Sequence, residues 1–147
     1  MAEIFRGNHP TRVDEKGRLK MPADFKRLVD EMCGPKFYIT SLDGQRAEIF
    51  PMLEWEKIEA QVAEMAGPEK KRFLYAANRY GQNAEMDAQG RLLIPQLLRE
   101  KASLTGDAAV LGMQTHLTVM DETLLDKSLE AEPLTDSDLA TLKIPGL

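Results

Sequence analysis

The apolar positions of the chain follow the same order of periodicities twice, once in each half. In the first half a short stretch that is apolar at every second position ends at Pro22 and leads into a helical stripe with the spacing i, i+3, i+4 and i+7. That stripe consists of Phe25, Leu28, Val29 and Met32. It ends at Gly34-Pro35, a common stop for a helix. The pattern predicts one amphipathic helix that packs these four side chains into a core.

The second half begins in the same way, in a shorter form. After Pro95 the run QLLREKASL places Leu98 and Ala102 on one helical face, and Thr105-Gly106 ends it. Two strand-like runs joined by a turn follow each predicted helix. They are KFYITS and RAEIF around Asp43-Gly44 in the first half, and AAVLGM and HLTVM around Gln114-Thr115 in the second. We therefore expect the order strand, helix, hairpin to occur twice.

An amphipathic segment closes each half, and a further helix connects the two halves. The first closing segment has apolar residues on one face, at Trp55, Ile58, Val62 and Met65, and the second is DETLLDKSL. The run KRFLYAANRYGQN, residues 71–83, fits a connecting helix that ends at Gly81 and turns Phe73, Ala77 and Tyr80 inward. Since half of 147 residues buries too little surface to fold alone, the two units are expected to pack together.

One nine-residue segment occurs twice, as DEKGRLKMP at residues 14–22 and as DAQGRLLIP at residues 87–95. Its aspartate can accept a hydrogen bond from a backbone amide two residues further on, and its glycine can adopt the positive φ of a tight turn. In the first copy Leu19 and Met21 alternate with Arg18 and Lys20, so one face is apolar and the other is cationic. A guanidinium held on a rigid turn is well placed to bind phosphate or a guanine edge.

A purely structural role for this segment is the alternative. Arg18 and Arg91 would then form salt bridges with the aspartate of their own repeat, and the segment would serve folding only. The two copies also differ, because Glu15, Lys16 and Lys20 in the first correspond to Ala88, Gln89 and Leu93 in the second. The second copy has lost its flanking charges, so it is expected to be the more structural of the two.

The charge is distributed unevenly along the chain. The total is −5, and residues 121–147 carry seven acidic and two basic residues, which accounts for all of it. Residues 6–27 carry seven basic and three acidic residues, an excess of +4 that coincides with the first repeat. The protein is acidic as a whole but has a basic N-terminal region. This region makes nucleic acid a more plausible partner than the net charge of the chain suggests.

Several other classes of function lack support in the sequence. No apolar run is long enough to span a bilayer, and the N-terminus lacks the apolar core of a signal peptide, so we expect a cytoplasmic protein and no membrane partner. Cys33 is the only cysteine, and His9 and His116 are the only histidines, so neither an intrachain disulfide nor a metal site is expected. Phosphate-binding loops and hydrolase motifs are absent. We expect no enzyme activity, no cofactor and no small-molecule substrate.

Three segments together carry a resemblance to a known family: IFRGNHPTRVDEKGRLKMP, DAQGRLLIP and RFLYAANRY. They resemble the MraZ family of bacterial regulators over roughly residues 4–125. The resemblance implies an α+β fold of two tandem AbrB-like swapped-hairpin units with flanking helices, related by an internal pseudo-two-fold axis. It also implies a nucleoid-associated transcriptional regulator that forms homo-oligomeric rings. By the same resemblance, its DNA partner is double-stranded promoter DNA with short direct repeats, upstream of the division and cell-wall gene cluster.

The resemblance and the repeat together give the domain bounds and the candidate site. We assign residues 4–66 to the first AbrB-like half, 67–83 to the connecting helix, 84–130 to the second half, and 131–147 to an acidic tail that need not be ordered. The family implicates the arginine of the first repeat, here Arg18, in DNA contact. The expected DNA-binding residues are Arg18, Lys16 and Arg12, joined by Lys20, Arg6 and Arg91. The alternative function is an antitoxin-like or scaffold module that binds protein and does not read DNA directly.

Overall fold

The computed structural model describes residues 4–147, which form eight strands and six α-helices. The strands are β1 (Asn8–Val13), β2 (Arg18–Lys20), β3 (Lys36–Thr40), β4 (Ala47–Pro51), β5 (Gln82–Glu85), β6 (Arg91–Leu93), β7 (Gly106–Gly112) and β8 (Leu117–Asp121). The helices are α1 (Ala23–Leu28), α2 (Met52–Ala63), α3 (Pro68–Arg79), α4 (Gln96–Lys101), α5 (Glu122–Ala131) and α6 (Asp136–Leu142). Both predicted hairpins, β3–β4 and β7–β8, are present and antiparallel.

The eight strands form one sheet, in the order β5-β3-β4-β8-β7-β1-β2-β6, to which each half contributes strands that pair with the other half. Strand β1 pairs with β7 of the second hairpin, β5 pairs with β3 of the first, and β2 pairs with β6. The two ends of this order meet at a turn, where the Asp87 N–H donates to the Arg91 carbonyl over 3.0 Å. When the strand order is closed into a ring at this turn, replacing each strand of one half by the equivalent strand of the other half (β1 by β5, β2 by β6, β3 by β7, β4 by β8, and the reverse) gives the same ring of neighbours. The internal pseudo-two-fold relation is therefore a property of the strand pairing.

A single core fills the space enclosed by this sheet. Leu19 and Leu92, at the centres of β2 and β6, are fully buried and are register partners. Phe25 from α1 and Leu98 from α4 cover this pair from equivalent positions in the two halves and are buried as well. Burying each such side chain stabilises the fold by about 1.5–3 kcal/mol. Because the core draws on both halves, neither half has a complete core of its own.

A smaller apolar cluster holds the connecting helix α3 and the closing helix α2 on the first hairpin. Trp55 of α2 stacks on Tyr38 of β3 with ring centroids 4.7 Å apart. Ala77 of α3 is buried, and its carbonyl accepts a hydrogen bond of 2.6 Å from the Thr40 hydroxyl. Phe73 is partly buried against the same cluster. The inward face predicted for the connecting helix is therefore found.

Two methionines predicted on apolar helical faces are exposed. Helix α1 ends at Leu28 and is followed directly by one π-helical turn, Val29–Cys33. The Gly34 N–H, just after this turn, donates to the Val29 carbonyl. The wider turn rotates Met32 off the core-facing stripe, and this side chain is 48% exposed. Met65 is 55% exposed because α2 ends at Ala63, before the stripe reaches it.

The C-terminal residues form two helices after the sheet. The Asp121 carboxylate caps α5 by accepting a hydrogen bond from the Leu124 N–H over 3.1 Å. Helix α6 begins with a capping box between Thr135 and Asp138, yet it buries none of its side chains. The predicted division of the chain into two halves, a connecting helix and a tail stays a prediction. Within residues 4–147, no helix is both long and apolar enough to cross a membrane.

Candidate nucleic-acid interface

The first repeat is a tight turn organised by one carboxylate. Asp14 Oδ1 accepts hydrogen bonds from the backbone N–H groups of Lys16, over 3.0 Å, and of Arg18, over 2.8 Å. Its Oδ2 accepts a third from Arg18 Nε, over 2.8 Å. Gly17 completes the turn with φ of +83° and an N–H that donates to the Asp14 carbonyl. The Arg18 side chain is therefore held at its Nε, while its two terminal nitrogens form no hydrogen bond within residues 4–147.

The second repeat has the same geometry. The N–H groups of Gln89 and Arg91 each donate to Asp87 Oδ1 over 2.9 Å, and Arg91 Nε donates to Oδ2 over 2.9 Å. Gly90 adopts φ of +79°. The predicted equivalence of the two repeats is thus found in their backbone angles and in their hydrogen bonds. The predicted structural role, a salt bridge from each arginine to the aspartate of its own repeat, is found as well.

The hydrogen bonds to these carboxylates favour their ionised form. Donation from the Arg18 backbone N–H, helped by the Arg18 side chain, lowers the pKa of Asp14 below its ordinary value. The pKa of Asp87 is lowered in the same way, chiefly by the Arg91 backbone N–H. Both turns therefore keep their negative charge at neutral pH, and each offsets part of the charge of its own arginine.

Strand exchange brings the two repeats side by side. Met21 N–H donates to the Gly90 carbonyl over 2.7 Å, and Ile94 N–H donates to the Gly17 carbonyl over 2.9 Å. Between these bonds Lys20 lies directly opposite Arg91 in the β2–β6 register. Since successive side chains alternate between the two faces of a strand, Lys20 and Arg91 lie on the face opposite the buried Leu19 and Leu92.

An open cleft of about 660 Å³ lies over these turns. It is lined by six cationic side chains and two carboxylates among other residues, and these charged residues are Arg12, Lys16, Arg18, Lys20, Arg91, Arg99, Asp14 and Glu15. Five of the six residues predicted to bind DNA therefore line one cleft. The charge of its lining is strongly positive, although the charge of the whole chain is −5.

Arg6 is the predicted residue that does not line the cleft. It lies next to Gly112, beyond the N-terminal end of β1, whereas Arg12 reaches the cleft from the other end of the same strand. The residues from 6 to 12 span about 20 Å in an extended chain, which separates the two arginines. Arg6 thus lies outside the group that the fold brings together.

Arg99 lines the cleft although the sequence did not suggest it. Its Nε donates to the Ile94 carbonyl over 2.9 Å, and its guanidinium lies against Gly17, where a Cβ would overlap it. In the second repeat the equivalent contact is made by Lys26, whose side chain lies about 3.0 Å from where a Cβ of Gly90 would be. The spacing of 73 residues between Lys26 and Arg99 equals the offset of the two repeats and could have identified the pair.

Several cleft cations have free hydrogen-bonding capacity. Within residues 4–147, the side chains of Lys16 and Lys20 form no salt bridge, and the terminal nitrogens of Arg18 have no protein partner. Arg12 pairs with Asp107 over 2.9 Å, but both side chains are largely exposed, so the pair is weak and can open. The cleft therefore offers several donors to an anionic ligand.

Comparison with known proteins places the chain in a family. It matches the model of the family described as "MraZ protein, putative antitoxin-like" over residues 4–75 and again over residues 80–141. It is 55% identical over 146 residues to a protein of Acidobacterium capsulatum, which covers 98% of this chain and all of that protein. It is 46% identical over 147 residues to one of Koribacter versatilis, with 98% of this chain and all of that protein covered. Both relatives are named "Transcriptional regulator MraZ".

A more distant relative in Pseudomonas aeruginosa carries the same name, with 32% identity over 97% of this chain and 93% of its own length. The duplicated α+β fold and the names of these relatives together define a transcriptional regulator built from two tandem units. The chain belongs to the MraZ family. The predicted family and the predicted fold class are thereby confirmed.

Proposed function

We propose that this protein regulates transcription by binding double-stranded promoter DNA in the basic cleft, as a homo-oligomeric ring associated with the nucleoid. In keeping with its family, the proposed target is a set of short direct repeats upstream of the division and cell-wall gene cluster. Arg18, Lys16 and Arg12 are the proposed principal contacts. Lys20, Arg91 and Arg99 are the remaining cations of the cleft and are proposed as further contacts. Arg6 would contact the DNA only where the DNA extends beyond the cleft.

The observation that carries this proposal is the cross-strand pair of Lys20 and Arg91 in the middle of the cleft. Like charges directly opposite each other destabilise an antiparallel pair. Each of the two faces the other cation across the strands instead of a carboxylate, and Asp87 accepts a hydrogen bond only from Arg91 Nε of this pair. A phosphate backbone lying in the cleft would neutralise both cations, with release of condensed counterions from the DNA.

Oligomerisation would give a weakly basic subunit sufficient affinity. A single cleft supplies few phosphate contacts, but linked clefts that engage successive DNA repeats would raise the effective concentration of each. Apolar side chains left uncovered in the single chain support assembly, among them Leu53, which is 64% exposed, and Tyr75, which is 66% exposed. A ring of copies would cover such residues at repeated interfaces.

The second candidate is a protein-interaction module of the antitoxin-like kind, and one observation favours it. Both arginines of the repeats are held by an aspartate at nearly the same distance, 2.8 Å for Arg18 and 2.9 Å for Arg91. If the two Asp–Arg pairs served only to stabilise the fold, both repeats would be expected to show the same geometry. The free terminal nitrogens of Arg18 and the unpaired lysines beside it favour DNA binding instead.

The test is fluorescence anisotropy on labelled DNA from the region upstream of the protein's own gene, with a shuffled sequence as control. If about four cations of a cleft contact phosphates, the affinity should fall with salt with a log–log slope of about −3 to −4 for each engaged subunit. Lys36→Ala removes one exposed charge at the start of β3, outside the cleft, and should leave binding unchanged. Equal affinity for both DNA sequences, or an affinity that does not depend on salt, would contradict the proposal.

A further inference from the structure

The C-terminal helix α6 packs only loosely on the rest of the described chain. It has seven residues, a complete capping box, and no buried side chain. Leu134, just before it, is 68% exposed, and Leu142, at its end, is 59% exposed. Helices this short are not stable in water without tertiary packing. A short helix with a complete capping box and with Leu134 and Leu142 exposed is expected to pack against another surface.

The charge of the C-terminal segment is opposite to that of the cleft. Residues 130–147 carry four acidic residues and one basic residue, with acidic residues at the end of α5, on α6 and on the link between them. The cleft has six cationic side chains in its lining against Asp14 and Glu15. Next to it, Leu93 lies opposite Arg18 in the strand register and is 52% exposed, which offers an apolar contact within a cationic surface.

We propose that the acidic C-terminal segment of a second copy of this chain, residues 130–147, docks in the basic cleft. Carboxylates of the segment lie against Lys16, Lys20 and Arg18, and a leucine of α6 contacts Leu93. The segment contributes no residue to the cleft lining of its own chain, because all the lining residues lie between Arg12 and Gly106 in the sequence. A neighbouring copy in an assembly supplies it at high effective concentration.

The consequence for regulation rests on the proposed function. The segment and DNA phosphates would compete for the same cations, so the free assembly would be held in a state of reduced DNA affinity. Binding of several DNA repeats at once would displace the segments together. The contact between segment and cleft does not itself depend on DNA, so the two can be tested separately.

The first experiment detects the contact between copies without DNA. A carbodiimide joins a carboxylate to a lysine amine only when the two are in contact. One chain carries Lys16→Arg and Lys20→Arg, which keep the charge and remove the amines. The other carries Glu130→Gln, Glu132→Gln, Asp136→Asn and Asp138→Asn. Mixed assemblies are purified through different tags on the two chains, and mass spectrometry locates the cross-links.

Neither chain can join residues 130–138 of its own segment to its own Lys16 or Lys20. We expect cross-links from residues 130–138 to Lys16 or Lys20 in the wild-type protein and in the mixed assembly, and their loss at high salt. Cross-links in the wild type but not in the mixed assembly would place the segment in the cleft of its own chain. That result, or the absence of such cross-links from the wild type, would overturn the proposal.

The second experiment measures competition with DNA. The full-length variant Glu130→Gln/Glu132→Gln/Asp136→Asn keeps the capping residue Asp138 and loses three negative charges. Its matched control, Glu85→Gln/Glu122→Gln/Asp126→Asn, changes the net charge equally at exposed carboxylates outside the cleft, outside residues 130–147 and away from α2 and α3. We expect the C-terminal variant to bind DNA about fivefold more tightly than the control. A factor of this size lies at the lower end of the usual range for one ligand's effect on the affinity of another.

The two proposals fail in different ways. Equal affinities for the C-terminal variant and its control would overturn the competition and leave DNA binding intact. If neither variant nor the wild type binds DNA, the proposed function fails, and the cross-links alone decide whether the segment docks in the cleft.

Discussion

Lys20 and Arg91, one from each half of the chain, lie directly opposite each other across the antiparallel strands β2 and β6. Their side chains share the outer face of the sheet because Leu19 and Leu92 take the inner one. The same pairing that builds the core therefore places two cations together. Folding and the basic cleft thus depend on the same short strands.

Arg18→Ala is expected to weaken DNA binding by about 1–3 kcal/mol for each engaged subunit. Arg91→Ala should weaken it less, since its own turn carries Ala88 and Gln89, and the neutral Gln89 stands where the turn of Arg18 carries Lys16. Both substitutions remove an equivalent, partly exposed ion pair, so each should cost less than about 1 kcal/mol of stability. Anisotropy titrations and thermal melts on the same preparations give both quantities. An Arg18→Ala protein that assembles normally and binds DNA at wild-type strength would remove Arg18 from the interface.

Gly17→Ala is expected to impair DNA binding more than Gly90→Ala does. Both glycines have positive φ, so each alanine should cost about 1–2 kcal/mol of stability. At Gly17 the new Cβ also overlaps the Arg99 guanidinium and displaces it within the cleft, whereas at Gly90 it meets the aliphatic part of Lys26. Gly34→Ala is the control, because Gly34 has φ of +73° and nothing within 4 Å of a Cβ. Similar DNA affinities for all three variants would argue against a role for Arg99.

The two turns should make stability depend on pH in the acid range. The pKa of Asp14 and that of Asp87 are lowered in the folded protein, chiefly by hydrogen bonds from the backbone N–H groups of Arg18 and Arg91. Their contribution is therefore complete above the unfolded pKa of about 3.9 and is lost as the pH falls through the lower folded value. Urea unfolding between pH 7 and pH 2 should show this loss. Asp14→Asn/Asp87→Asn keeps an acceptor oxygen without the charge, and its stability should change less over this range.

Leu19→Ala is expected to destabilise the whole chain by about 2–5 kcal/mol, and Leu92→Ala by a similar amount. Each side chain is fully buried in the core that both halves share. Unfolding should therefore remain one cooperative transition in both variants, detected alike by fluorescence of Trp55 in the first half and by circular dichroism. Two separated transitions would mean that the halves fold independently.

The purified protein is expected to be larger than a single chain of 16.5 kDa. Exposed apolar side chains on α2 and α3, including Leu53 and Tyr75, provide surface for contacts between copies. Light scattering at micromolar concentration measures the mass directly. A mass of one chain under these conditions would contradict both the ring and the docking of one copy's segment in another copy's cleft.

Local features of the fold could be predicted because neighbouring residues determine them. The Asp14 turn requires an acceptor, a glycine at positive φ and two backbone amides within five residues, and all of these are visible in DEKGR. The hairpins and the connecting helix likewise follow from periods of two and 3.6 residues. The π-helical turn after Leu28 escaped prediction because it changes the period within one apolar stripe, which moves Met32 outward.

The sequence by itself determined that one unit occurs twice, that each copy contains an Asp-Gly-Arg turn, and that the basic charge lies near the first. Only the tertiary structure decided which strands pair. It placed Lys20 against Arg91, brought Arg99 over Gly17 and left Arg6 outside the cleft. The physical reason is that turns and helical stripes depend on contacts within a few residues. Exchange of strands between halves instead depends on burying one shared core, with partners about 70 to 105 residues apart in the chain.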